Sequence, residues 1–206
     1  GRITEIVTPS PYRQTAPCMH YDHCGGCTLQ HLTPEFYRQS KMNVVRESLL
    51  HQGLRPQRWL APIFLGDQNR RRATFSARKE RNAIVMGYYE RRSDAITNIQ
   101  SCLIANPRLL ELRNLIGPHL KNILGREPVD IFLQLVGDQV DMVITGTVGN
   151  SDTAREALQT LMNTSPITRI SWRRSEKMTP QILFSKHPIV TRFGKLEVAL
   201  PPAAFM

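Results

Sequence analysis

The chain has 206 residues, a net charge of +10, a sequence pI near 10.0 and 41% hydrophobic residues, a composition typical of a folded globular protein. It contains no apolar run of the about 20 residues that cross a bilayer and no signal-peptide core, so we expect no membrane partner and a cytoplasmic location. Four cysteines are too few for a disulfide-dense secreted scaffold. The first residue is not Met, which predicts that the sequence begins inside a longer protein.

Positive charge is concentrated in one part of the sequence. Residues 55–92 contain ten Arg and Lys residues against three carboxylates, so this window carries +7 of the net +10. Nine of the ten are Arg, whose planar guanidinium suits phosphates and base edges. A solvated charged face on two strands is the simpler alternative, but repeated Arg clusters beside strands favour a nucleic-acid surface. The predicted phosphate contacts are Arg70, Arg71, Arg72, Lys79, Arg81, Arg91 and Arg92.

The first third of the chain is predicted to contain a strand, a cysteine-rich loop and a helix. Polar and apolar residues alternate over residues 1–8 as in a strand, and prolines follow this segment. Residues 17–31 form an irregular loop. Thr33 is placed to cap a helix that begins at Pro34 and ends at Gly53. The apolar side chains of this helix fall on one broad face, formed by Phe36, Tyr37, Val44, Val45 and Leu49.

The rest of the chain alternates short strands with helices. Alternating runs over 71–78, 83–89 and 95–100 predict an antiparallel meander with basic turns. Residues 107–124 predict a helix that is interrupted near Gly117 and Pro118. Gly137 and Asp138 form a strong hairpin signal, and Asp141 is placed on a solvent face. A helix and four more strands are predicted over 151–162, 167–173, 181–185, 188–193 and 195–200. The predicted fold class is therefore α+β, with antiparallel sheets and a few helices.

The four cysteines are the best candidates for a metal site. Cys18, Cys24 and Cys27 share the loop, where Gly25 and Gly26 allow a tight fold, and Cys102 ends the predicted meander. Four thiolates suit tetrahedral zinc or a [4Fe–4S] cluster. Three cysteines in one loop with a remote fourth favour the cluster, whereas structural zinc more often uses two close pairs. Disulfides or inert buried thiols are the remaining alternative.

Motifs for other chemistry are missing from the sequence. It contains no G-x-G-x-x-G dinucleotide fingerprint, no Walker A motif and no H-E-x-x-H zinc motif. If all four cysteines hold a cluster, none remains to act as a nucleophile. We therefore expect neither catalytic nor cofactor-binding residues in this chain.

Several segments together resemble one enzyme family. The run P-C-M-H-Y-D-H-C-G-G-C-T-L-Q-H-L over 17–32 is similar to the cysteine loop of the iron–sulfur bacterial RNA (uracil-5) methyltransferases, of the large-subunit ribosomal RNA type. N-R-R-R-A-T-F over 69–75 resembles that family's Tyr-Arg-Arg-Arg-Ala segment, with Asn69 in place of the frequent Tyr. The run over 86–102 resembles the segment that delivers the fourth cluster ligand, and L-P-P-A-A-F-M over 200–206 the start of a Pro-x-x-Phe motif.

The resemblance implies a domain organisation. Residues 1–10 would be the last strand of a truncated oligonucleotide-binding (TRAM) barrel, and 11–32 the iron–sulfur loop held by Cys18, Cys24, Cys27 and Cys102. Residues 33–66 would pack on a methyltransferase domain outside the chain, which leaves the helix over 33–53 available for self-association. Residues 67–206 would form the central RNA-binding domain.

The resemblance also implies a function. The parent enzyme would use S-adenosylmethionine to methylate C5 of a uridine, with ribosomal RNA favoured over transfer RNA. This chain would bind RNA and the [4Fe–4S] cluster but would be inactive alone. Phe205, from its place in the matched motif, would lie near the target base. The alternatives are a free-standing zinc-containing RNA-binding module and an electron-transfer protein.

Overall fold

The computed structural model describes residues 3–81, 83–149 and 152–204, which divide into two units, Gly1–Gly66 and Asp67–Met206. The second unit begins where the sequence analysis places the central domain. In the first unit, residues 3–8 form no strand and pair with none of the described residues, so the predicted barrel strand is not confirmed. A strand is defined by hydrogen bonds to a neighbour, and alternation in the sequence does not supply that neighbour.

Helix α1 (Pro34–His51) forms at the predicted place in the first unit. Thr33 is the N-cap residue and Pro34 follows at the first helical position, as expected, although the Thr33 side chain makes no capping hydrogen bond. The helix ends in a Schellman motif, in which Gly53 donates to Leu50 O at 2.9 Å and Leu54 to Leu49 O at 2.9 Å. Gly53 has φ 69°, which glycine adopts without strain.

The second unit contains a seven-stranded sheet in the order β3-β2-β1-β4-β5-β6-β7. Its strands are β1 (Arg72–Glu80), β2 (Ala83–Tyr89), β3 (Ile96–Asn98), β4 (Val129–Val136), β5 (Gln139–Thr145), β6 (Arg169–Arg173) and β7 (Gln181–Ser185). Strands β8 (Val190–Phe193) and β9 (Leu196–Ala199) form a separate hairpin. The predicted α+β class is confirmed.

One strand pair departs from the antiparallel prediction. Strands β5 and β6 are parallel, whereas the other pairs described in the sheet are antiparallel. Helix α3 (Asp152–Thr164) connects β5 to β6 and returns the chain to the edge of the sheet at which β5 begins, as a parallel connection requires.

One face of the sheet is apolar and supports the helices. Phe75, Ile131 and Ile144 lie opposite one another on β1, β4 and β5, and all three are fully buried. Helix α2 (Pro107–His119), which continues into a 3₁₀ turn over Leu120–Asn122, contacts α3 and this sheet. The two helices bury apolar stripes formed by Leu109, Leu112, Ile116, Ala154, Leu158, Leu161 and Met162.

The opposite face of the sheet is polar yet largely buried. Its central row crosses four strands and consists of Arg72, Gln134, Asp141 and Arg169, each opposite the next. The Arg169 and Asp141 side chains, 5% and 2% exposed, form a two-pronged ion pair with both N–O distances at 2.9 Å. The prediction that Asp141 faces solvent is therefore wrong, because a parallel neighbour supplies the charge that allows its burial.

The edge of the sheet near β3 is fixed by a close approach of β2 to β3 and by hydrogen bonds from Arg113. A Cβ on Gly87 would collide with the Thr97 carbonyl oxygen, so only glycine lets β2 and β3 approach this closely. Arg113 of α2 donates from Nε and Nη2 to Met86 O at 3.2 and 2.8 Å, and also to Asn98 Oδ1. Burial lowers the pKa of the Arg113 guanidinium from its ordinary value. None of the helices in the described residues is long and apolar enough to cross a membrane.

Candidate functional site

The cysteine-rich loop of the first unit is closed at its base by hydrogen bonds. Gln14 N donates to His31 O at 2.8 Å, its side chain donates to Gln30 O at 3.1 Å, and Arg13 bridges to Leu32. Tyr21 crosses the loop, with its hydroxyl 2.8 Å from Thr28 O and 2.6 Å from His31 Nδ1. The loop is thus an ordered turn structure, and Tyr21 engages His31 within it.

Three thiols are presented by this loop. Cys18, Cys24 and Cys27 are half-buried and form no disulfides. Gly26 N donates to Cys24 Sγ at 3.4 Å, and Cys24 N donates to His20 O at 2.8 Å, so a glycine amide faces one sulfur. Backbone N–H groups near sulfur are a usual feature of iron–sulfur ligand loops. Among the described residues, however, no group of three or more His, Cys, Asp or Glu side chains is arranged to hold a metal ion.

Cys102 lies in the second unit, just before helix α2. The segment after it is paired with the chain before β1: Gln68 N donates to Leu103 O at 2.8 Å, and Arg70 N to Ile104 O at 3.1 Å. The half-buried Cys102 Sγ accepts from Ala105 N at 3.4 Å, and Asn106 caps α2 through Arg108 N at 3.1 Å. Cys102 therefore sits on a segment fixed at both sides, and the backbone of Arg70 is part of that support.

The seven predicted phosphate contacts are all exposed, and they lie in separate places on the meander. Arg70, Arg71 and Arg72 are at the first end of β1, whereas Lys79 and Arg81 are at its last end. Nine strand residues place these ends roughly 25 Å apart. Arg91 and Arg92 lie in the β2–β3 turn, so the basic side chains cover an extended surface that could follow a nucleic-acid backbone.

Arg78 joins two of these places and was absent from the predicted contacts. It forms an ion pair with Glu80 at 2.6 Å and donates to Asp94 O at 3.4 Å, in the turn that carries Arg91 and Arg92. Arg81 and Arg92 have φ of 50° and 57°, which is strained for residues other than glycine. The two turns therefore hold Arg81 and Arg92 in uncommon backbone conformations, and Arg78 contacts a residue near each of them.

The buried ion pair anchors the C-terminal segment of the described chain. Arg169 Nη1 donates to Leu200 O at 2.8 Å, and Ala203 N donates to Asp141 Oδ2 at 3.0 Å. The sequence did not predict this pair, although Asp141 gives a signal, since it is a carboxylate within the otherwise apolar run Val140–Ile144 of β5. Phe205, the predicted neighbour of the target base, lies outside the described residues.

Curated relatives match the chain from end to end. A 23S rRNA (uracil(1939)-C(5))-methyltransferase of Alcanivorax borkumensis is 33% identical over 225 residues, covering 100% of this chain and 48% of that protein. An uncharacterized RNA methyltransferase of Caulobacter vibrioides is 30% identical over 217 residues, covering 100% and 50%. The chain spans about half the length of the curated relatives it matches. No protein-family profile matches the sequence.

A solved structure shares the fold. The tRNA (uracil-54, C5)-methyltransferase of Pyrococcus abyssi, solved in complex with S-adenosyl-L-homocysteine, superposes with a TM-score of 0.61 at 16% identity, covering 100% of this chain and 52% of that one. The sequence relatives confirm the resemblance seen in the motifs: over its whole length the chain is similar to RNA methyltransferases, one of which is named for C5 of a uracil in 23S rRNA.

Proposed function

We propose that this chain is the RNA-recognition and [4Fe–4S]-binding part of an S-adenosylmethionine-dependent enzyme that methylates C5 of a uridine in RNA, with ribosomal RNA as the favoured substrate. The observation that carries the proposal is the end-to-end match to RNA methyltransferases, one of which is named for 23S rRNA. The exposed basic meander supports RNA as the ligand, because guanidinium groups along two turns and a strand end suit phosphates. Such an enzyme would act in the cytoplasm.

The reaction explains why a separate part for RNA recognition is useful. Uracil C5 is a weak nucleophile, so a Cys thiolate first adds to C6 and makes C5 enolate-like. C5 then takes the methyl group from the sulfonium, a base removes the C5 proton, and the thiolate leaves C6. Because C5 and C6 are covered in a stacked helix, the base must be extruded, and this requires a firm grip on the flanking RNA.

In this proposal the bond-making groups lie outside the chain. The four cysteines are assigned to the cluster, and the sequence contains no glycine-rich dinucleotide turn. Calorimetric titration of the 206-residue chain with S-adenosylmethionine is expected to show no binding heat. Saturable binding would place the cofactor site in this chain and overturn this part of the proposal.

The chemistry of the thiols and the hydrogen bonds beside them support the proposed cluster. Four half-buried thiols, two of which accept a backbone N–H at 3.4 Å, are suitable ligands for iron. When bound, the cluster would be held through iron–thiolate bonds by Cys18, Cys24, Cys27 and Cys102. Anaerobically purified protein is expected to contain about four irons with acid-labile sulfide per chain. Stoichiometric zinc without sulfide would instead support the zinc-module alternative.

Charge reversal tests the RNA surface. The double variant Arg81→Glu/Arg92→Glu is expected to weaken binding of a large-subunit rRNA fragment and to lower the log–log salt slope by about one or less for each lost contact. The matched control is Arg126→Glu/Arg155→Glu, which changes the net charge equally at two exposed positions elsewhere. Equal effects of the two double variants would show that net charge, and not this surface, drives binding.

Helix α1 supports self-association as a further part of the proposal. It has no buried residue, and Val44, Val45 and Leu50 are each more than half exposed. Apolar side chains exposed together favour contact with another surface. Light scattering is expected to show species larger than the monomer as concentration rises, and Val45→Glu is expected to reduce them. A monomer at all concentrations would contradict self-association.

A further inference from the structure

The β8–β9 hairpin ends in a tight, defined turn. Phe193 and Leu196 are the last pair of its ladder, and Gly194 and Lys195 connect them. Gly194 has φ 61° at the first turn position, as in a type II′ turn, whose twist matches that of the flanking strands. The turn therefore fixes the residues at the tip relative to the two strands.

The base of the hairpin is anchored in the second unit. Ile189 and Leu200, which flank the two strands, are buried, and Leu200 N donates to Ile189 O at 2.8 Å. Val190 N donates to the Gln139 side chain at 2.9 Å, and Arg169 holds the Leu200 carbonyl at 2.8 Å. A fixed base and a tight turn make the hairpin a projecting element with a firm support.

The hairpin exposes an aromatic ring at its tip and carries two exposed cations. Phe193 and Leu196 are 60% and 66% exposed, and their cross-strand pairing places them on one face. Lys195, in the turn, is also exposed, and so is Arg192, whose position in the strand directly before Phe193 places it on the opposite face of the hairpin. Arg192 pairs with Glu197 at 3.2 Å, but an ion pair this exposed is worth little, so the guanidinium can exchange the carboxylate for a phosphate.

The charge of the segment that contains the hairpin favours a polyanionic partner over a protein. The exposed side chains of residues 174–199 include two carboxylates, Glu176 and Glu197, against five cations: Arg174, Lys177, Lys186, Arg192 and Lys195. An apolar protein partner would use the exposed Phe193 and Leu196 but would gain nothing from this excess of cations. Single-stranded nucleic acid uses both features, because bases stack on aromatic rings while cations contact the backbone.

We propose that the hairpin over residues 190–199 is a second RNA-binding element, in which Phe193 stacks on an unpaired base while Lys195, in the turn, and Arg192, from the opposite face, contact phosphates of the same RNA strand. The inference rests on the proposed function for RNA as the ligand. It extends the RNA surface beyond the basic meander to an element that binds unpaired nucleotides.

The test uses the 206-residue chain and a short single-stranded RNA that carries 2-aminopurine, with a duplex of the same sequence for comparison. Phe193→Ala is expected to weaken single-strand binding about five- to one-hundred-fold, whereas Phe193→Trp keeps it. Leu196→Ala is the matched control, because it removes an equally exposed aliphatic side chain from the same face. Stacking is also expected to quench 2-aminopurine fluorescence with wild type and Phe193→Trp but not with Phe193→Ala. Because Phe193 is exposed, the melting temperature should not change.

Each other outcome has a distinct meaning. If Phe193→Ala binds RNA as wild type does, the hairpin inference is wrong and the proposed function stands. If Phe193→Ala and Leu196→Ala lose affinity equally, or if they change only the sedimentation of the protein, the tip is an apolar protein contact and the inference is also wrong. If wild type binds neither RNA, the proposed function fails together with the inference.

Discussion

Replacing Asp141 with asparagine isolates the buried ion pair that joins two strands and the C-terminal segment. The substitution keeps the size of the side chain but removes the charge that faces Arg169. In the wild type, the carboxylate accepts both guanidinium prongs at 2.9 Å and the Ala203 amide at 3.0 Å. After the substitution, the guanidinium remains buried with a carboxamide that presents one acceptor oxygen instead of two.

The expected cost follows from the burial of both partners. The Arg169 and Asp141 side chains are 5% and 2% exposed, so water cannot solvate the Arg169 guanidinium once the carboxylate charge is lost. Removing one partner of such a pair costs about 3–5 kcal/mol of the free energy of unfolding. Asparagine retains part of the hydrogen bonding, which places the expected loss near the lower end, at about 3 kcal/mol. A loss of this size should lower the urea midpoint by about 1 M or more.

Urea unfolding followed by circular dichroism measures this loss, with Asp138→Asn as the matched control. Asp138 is fully exposed and lies 3.8 Å from Arg108, so its substitution should change stability by about 0.5 kcal/mol or less. The double variant Asp141→Leu/Arg169→Met should be more stable than Asp141→Asn, because it leaves no uncompensated charge. Equal midpoints for Asp141→Asn and Asp138→Asn would refute the assignment of this pair as a buried anchor.

Three further outcomes are expected. In thermal unfolding, Gly87→Ala should destabilise the second unit strongly, because the new Cβ would collide with the Thr97 carbonyl oxygen. Gly117→Ala in α2 is the control: its new Cβ would have no atom within 4 Å, so the change should be neutral or stabilising by up to about 1 kcal/mol. Cys24→Ser and Cys102→Ser should each lose iron and sulfide in anaerobic metal analysis, and full iron retention in either would remove that residue from the ligand set. Arg113→Lys should weaken the protection of the β2–β3 amides from hydrogen exchange, because a single ammonium cannot reproduce the hydrogen bonds of Nε and Nη2 with Met86 O and Asn98. Unchanged protection would show that these hydrogen bonds are dispensable.

Local patterns in the sequence predicted most of the elements of the fold. The meander, the Gly137-Asp138 hairpin and helices α1, α2 and α3 all form near the predicted positions, because turn residues and apolar periodicity are local signals. Pro118 was expected to interrupt α2 but lies within it, one residue before the helix ends, where the following 3₁₀ turn takes over.

Pairings between distant residues could not be read in this way. Alternation along β5 places Asp141 on the other face of the strand from Val140 and Met142. In a sheet that is covered on one side only, the face of Asp141 would be the solvent face. The partner that permits its burial, Arg169, lies beyond helix α3 on a parallel strand. The same limit applies to the basic residues: the sequence showed that they cluster, whereas their division between strand ends depends on register.

Mapping of ultraviolet cross-links between the 206-residue chain and a large-subunit rRNA fragment, by mass spectrometry, tests the central claim most directly. RNA recognition by the basic meander predicts cross-linked peptides that contain Arg70–Arg72 and the turns of Arg81 and Arg92, and the hairpin inference adds the peptide with Phe193. Cross-links confined to α3 and its neighbouring loops, or a yield no higher than that of an acidic control protein, would contradict the assignment of this chain to RNA recognition.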